Sequence, residues 1–112
     1  MKVMKTPSPF GTRTRTRALL ALRLLSSSHP RELARLLDVP LSMVQRALAS
    51  LEGDGLVVAR TVGRTRVFTL NPRDVARDEL ERYLLQLSES DEELRNAVAQ
   101  VRRRPRRTGK PG

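Results

Sequence analysis

Apolar positions change their spacing several times along the chain, and each change marks an element. From Thr12 the sequence runs TRTRTRALLALRLL to Leu25. The Thr-Arg repeat alternates as a strand does. ALLALRLL follows it with no turn signal and with high helix propensity, so residues 12–25 are expected to form one helix. At 100° per residue Leu19, Leu20, Leu22, Leu24 and Leu25 fall all round this helix, and Arg23 takes the only polar sector. A helix apolar all round needs cover on more than one side. In so short a chain the second side is expected from another subunit, which makes Leu19, Leu20 and Leu24 candidate dimer-interface residues.

Ser26 to His29 reads as a loop, with Ser28 or His29 as cap of a helix that opens at Pro30. That helix, Pro30 to Leu37, turns Leu33, Ala34, Leu36 and Leu37 inward and leaves Arg31 and Arg35 on an outer face. Asp38-Val39-Pro40 breaks it. A third helix is expected from about Pro40 to Glu52, ending at Gly53. Two β-branched runs, Leu56 to Val62 and Thr65 to Leu70, then join around Gly63-Arg64 and predict a hairpin. Asp74 to Leu87 reads as an amphipathic helix whose stripe is Ala76, Leu80, Tyr83, Leu84 and Leu87. Of these, Leu80, Tyr83, Leu84 and Leu87 join the candidate dimer interface. Ser90 is expected to cap a last helix, with Glu93 at the capping-box position and Leu94, Ala97, Val98 and Val101 on one side.

These elements divide the chain into a mobile arm over 1–11, a helical body with a hairpin over 12–71, C-terminal helices over 72–101 and a disordered basic tail over 102–112. The expected fold class is mainly α with a β-hairpin, α+β. Two short helices joined by a three-residue turn match a helix-turn-helix, and a hairpin directly after it matches a wing.

Charge sharpens this picture. The chain has 112 residues and a net charge of +10. Residues 1–70 carry 12 basic and 4 acidic side chains, whereas residues 71–101 carry 4 basic and 8 acidic. The basic body is expected to meet a polyanion and the acidic segment to face away from it. On the third helix Leu41, Val44, Ala47, Leu48 and Leu51 share the core side, and Ser42, Gln45, Arg46 and Ala49 share the other, with Met43 beside them. Ser and Gln bond base edges or phosphates, Arg bonds guanine in bidentate fashion, and Ala leaves room for close approach. Ser42, Met43, Gln45, Arg46 and Ala49 are therefore candidate contacts to double-stranded DNA. Arg60, Arg64 and Arg66 stand on the hairpin with no acid between Leu56 and Leu70, and are expected to meet phosphate or a minor groove. Arg13, Arg15 and Arg17 sit at a helix N-terminus, where positive charge opposes the macrodipole and a nearby phosphate would offset it. Together with Arg31 and Arg35 they are weaker phosphate candidates.

These residues resemble a family. PFGTRTRTRALLALRLL, HPRELARLLDVPLSMVQRALASLEGDGLV and GRTRVFTLNP are similar to the winged helix-turn-helix regulators of the ArsR/MarR-like superfamily, small single-domain type, over about residues 9–89. The resemblance implies that Pro40 to Glu52 is the recognition helix and that the first and last helices pair in a homodimer. The chain is expected to be a homodimeric transcriptional repressor, and the absence of cysteine fits a reducing cytoplasm, where it would associate with the nucleoid. This chain departs from the pattern in two places. Pro40 stands where the family often has Ser or Thr as cap. The cysteine or histidine clusters of the metal-sensing members are absent, so no metal and no cofactor are expected.

Other chemistry finds little support. With no cysteine there are no disulfides or thiolate sites. His29, the sole histidine, has no neighbouring ligands and reads as a loop or cap residue. Asp78, Glu79, Glu81, Asp91, Glu92 and Glu93 are expected on solvent faces without a cleft. No catalytic constellation or membrane span is visible, so the chain is expected not to be an enzyme. An RNA- or ribosome-binding role is weakened by an aromatic content of 3%, which leaves few stacking platforms. A basic protein-interaction module, such as an antitoxin-like co-regulator, is the remaining alternative.

Overall fold

The structure is a computed structural model and describes residues 8–103. Five helices and one antiparallel hairpin make a mixed α+β fold: α1 (Arg13–Leu25), α2 (Pro30–Leu37), α3 (Leu41–Gly53), β1 (Val57–Val62), β2 (Thr65–Leu70), α4 (Arg77–Ser88) and α5 (Glu92–Arg103). The basic tail expected from residue 102 overlaps the end of α5. Its remainder, and residues 1–7 of the expected arm, lie outside the described residues. Among the described residues no helix is long and apolar enough to cross a membrane.

The all-apolar α1 is the axis of the molecule. It packs on α2, α3 and β2, and also on α4 and α5 of the same chain. This corrects the expectation that another subunit covers the second side of α1. Leu19 and Leu20 are 0% exposed within one chain, because α4 and α5 fold back over the remaining side of α1. Leu84 is likewise 0% exposed and Leu87 is buried, both in the same core cluster. Those four leucines have no surface to offer a partner. Leu24 and Leu80 are half-buried, and Tyr83 is exposed, with its ring 6.0 Å from that of Phe10. Even the polar sector of α1 is used, since Arg23 Nε donates to the Glu81 carbonyl at 3.1 Å.

Local chemistry sets the boundaries. Thr12 caps α1 by accepting the Arg15 amide. Both candidate caps of α2 take part: His29 Nδ1 accepts the Glu32 amide at 3.3 Å, and Ser28 Oγ donates to the Glu32 carboxylate. Asp38 ends α2 in the left-handed region, at φ 57, which Asp tolerates better than most residues. Helix α4 opens at Arg77, three residues later than its hydrophobic stripe predicts. Asn71 Oδ1 accepts the Arg73 amide and Asp74 Oδ1 the Ala76 amide, which holds this stretch in turns.

Candidate functional site

Helix α3 shows two unlike faces. Val44, Ala47, Leu48 and Leu51 are buried against α1, α2 and β1, and Leu41 is half-buried. Ser42, Met43, Gln45, Arg46 and Ala49 are all exposed. The α2–α3 turn spans only Asp38, Val39 and Pro40, so α2 lies directly alongside. Pro40 precedes α3 with φ −60 and ψ 148 and supplies no side-chain cap. Its carbonyl accepts the Met43 and Val44 amides, which leaves the Leu41 and Ser42 amides open at the helix start.

The hairpin stands beside this helix. Gly63, at φ 64, provides the left-handed first position of the two-residue turn, and Val62 pairs with Thr65 across it. The base is anchored by Val57, Phe68 and Leu70, all buried, while residues 60–66 project into solvent. A further bridge fixes its direction. Ser28 and Phe68 exchange both backbone hydrogen bonds, at 2.8 and 3.1 Å, so the α1–α2 loop adds to the edge of β2. Nothing in the loop sequence signals this pairing, since a single bridge has no period to read.

Between α3 and the hairpin runs a groove of about 540 Å³. Gln45, Ala49 and Glu52 line its α3 wall, Arg64 and Arg66 its hairpin wall, and Arg31 its α2 end. Residues paired across the hairpin share a face. Arg66 therefore lies on the face of Phe68 and Leu70, turned toward α3, whereas Arg60 pairs with Val67 on the opposite face. Arg66, expected to meet phosphate or a minor groove, has its guanidinium at 3.3 Å from Glu52. That acid comes from α3 and so lies outside the acid-free stretch from Leu56 to Leu70. Its place seven residues beyond Gln45, on one helix face, is the sequence signal that points to the groove.

The three arginines of α1 separate completely. Arg13 is exposed. Arg15 is engaged within the chain: Nε donates to the Phe10 carbonyl at 2.6 Å, and the terminal nitrogens donate to Ser50 Oγ and to Asp54 Oδ2, the latter at 2.8 Å. Arg17 is withdrawn from solvent altogether. It bonds Asp91 Oδ2 at 2.8 Å and the Leu37 carbonyl at 3.3 Å, with side-chain exposures of 6% for Arg17 and 4% for Asp91. Arg17 thus cannot serve as a phosphate contact, and Asp91 is not on a solvent face. Asp91 Oδ1 also accepts the Leu94 amide at the start of α5, one residue on from the expected cap Ser90. Internal carboxylates have taken the place of the anion expected beside α1. Arg31 and Arg35 are exposed on α2, and among the described residues no carboxylate lies within 4 Å of Arg13, Arg31, Arg35, Arg46, Arg60 or Arg64.

No family model, curated protein or solved structure matches this chain. The resemblance drawn from its motifs therefore rests on the residues themselves. Helix α3 and the hairpin carry exposed Arg46, Arg60 and Arg64, whereas α4 and α5 mix exposed Asp78, Glu79, Glu92 and Glu93 with exposed Arg77, Arg82, Arg95 and Arg102. Glu81, half-buried, is held by Arg77 at 2.9 Å.

Proposed function

We propose that the chain is a DNA-binding transcriptional regulator of winged helix-turn-helix type, with α2 and α3 as the helix-turn-helix and the hairpin as the wing. Helix α3 enters the major groove of double-stranded DNA with Ser42, Gln45, Arg46 and Ala49 toward base edges. The open amides at its start, and Arg31 and Arg35 on α2, take backbone phosphates. Arg64 at the wing tip clamps the flanking backbone. The observation that carries this reading is the exposed polar strip of α3 standing beside an arginine-bearing hairpin, with no carboxylate on Arg46, Arg60 or Arg64 among the described residues.

In this reading the protein represses by occupying a pseudo-palindromic operator as a homodimer, on the nucleoid, and performs no catalysis. The dimer contact draws on accessible Leu24, Leu80 and Tyr83, not on the buried leucines. The test is selection of sites from random duplex, followed by competition of the selected duplex with random duplex, RNA and polyglutamate. An enriched sequence that random duplex displaces poorly, and RNA and polyglutamate more poorly still, supports the proposal. Equal displacement by RNA or polyglutamate overturns it in favour of an RNA or acidic-protein partner.

A further inference from the structure

Glu52 runs against the charge of its surroundings. Among the described residues it is the only acidic side chain lining the groove, in company with Arg31, Arg64 and Arg66. It also stands in the last turn of α3, where the helix dipole disfavours a carboxylate, and that turn holds no basic residue. What offsets both is Arg66. One of its terminal nitrogens lies 3.3 and 3.4 Å from the two Glu52 oxygens, and its guanidinium carbon is 5.2 Å from the Phe68 ring centroid. The side chains are 58% and 38% exposed, against 6% and 4% for Arg17 and Asp91. The buried pair is a permanent joint. The groove pair is wet, weakly held and open to exchange.

A guanidinium fork accepts carboxylate and phosphate with the same geometry, so a backbone phosphate is a direct competitor for Arg66. A carboxylate released in that way is left facing a polyanion unless it finds a donor. Glu52 shares the groove face of α3 with Gln45 and Ala49, and a carboxylate there can only accept hydrogen bonds. In the major groove cytosine offers an N4 amino donor with no acceptor beside it on the same base, adenine sets its N6 amino donor next to the N7 acceptor, and guanine offers only acceptors that a carboxylate repels.

Resting on the DNA reading above, we propose that Glu52 is a specificity-determining residue that works by partner exchange. At a cognate site Arg66 passes to phosphate and Glu52 takes the N4 amino group of a cytosine. Where guanine or thymine stands there the freed carboxylate has no donor, and where adenine stands it meets the N7 acceptor beside the donor, so binding is opposed.

The experiment compares the full chain with Glu52→Ala, Glu52→Gln and Arg66→Ala in selection from random duplex and in binding to random duplex at low salt. Thermal melting checks that each variant is folded. Glu52→Ala is expected to bind random duplex about three- to tenfold more tightly, as loss of one negative charge in the groove requires. Its preference for the selected site is expected to fall about tenfold, with loss of cytosine at one position and the other positions kept. Glu52→Gln, nearly isosteric, is expected to admit adenine alongside cytosine at that position, because its amide donates as well as accepts, and it serves as the test if the alanine variant does not fold. Arg66→Ala is expected to weaken both kinds of duplex alike and leave the selected sequence unchanged. Unchanged affinity of both Glu52 variants for random duplex, or selected sequences that keep cytosine alone at every such position in both variants, overturns the exchange while leaving the DNA reading intact. Failure of the unaltered chain to enrich any sequence removes both.

Discussion

Arg17 and Arg46 are the same side chain in two solvents. Arg17 lies under α5 with a carboxylate and a carbonyl for company, and Arg46 stands in water on α3. Replacing Arg17 by Ala leaves Asp91 buried without its counter-charge, so stability is expected to fall by about 3–5 kcal/mol in urea unfolding. Replacing Arg17 and Asp91 together by Met and Leu is expected to cost less than the single change, because no charge is then stranded. Replacing Gln45 and Arg46 together by Ala leaves the melting midpoint nearly unchanged, since both are exposed. The same double change is expected to remove about 1–3 kcal/mol of discrimination at each base that these side chains read, measured as the ratio of selected to random duplex affinity. A ratio that survives it contradicts the assignment of base reading to α3.

Among elements, the hairpin separates what charge alone groups together. Arg64 at the turn and Arg66 on the α3-facing side line the groove, and Arg60 lies on the other face. Arg64→Ala is expected to weaken duplex binding uniformly across sequences and to lower the slope of log affinity against log salt by about one. A change in sequence preference would instead make Arg64 a base-reading residue. The same scale shows why some elements are legible in the sequence and others are not. The faces of α3 and the extent of α2 follow from hydrophobic period and from Pro30, since both are local signals. The start of α4 departs from its stripe because Asx turns at Asn71 and Asp74 hold residues that the hydrophobic pattern would otherwise claim. The Arg17–Asp91 pair joins residues 74 apart, and no sequence pattern signals such a pairing.

For the whole molecule, the decisive fact is that one chain encloses its own central helix. Leu19 and Leu20 face α1's neighbours within the chain, so Leu19→Ala is expected to lose about 2–5 kcal/mol through a core cavity. That loss is expected to be the same at micromolar and at hundred-micromolar protein. A loss that shrinks as protein concentration rises would put Leu19 in an interface after all. Exposed Arg46, Arg60 and Arg64 stand on α3 and the hairpin, whereas α4 and α5 carry most of the exposed carboxylates mixed with exposed Arg77, Arg82, Arg95 and Arg102. On the proposed reading a duplex is drawn more strongly to the first than to the second. The most direct test of this account is an amide ¹H–¹⁵N spectrum of the full chain titrated with a selected duplex. Shifts are expected to concentrate in residues 30–35, 41–52 and 60–66, with α4 nearly still. Shifts centred on α4 and α5, with α3 unmoved, would contradict it.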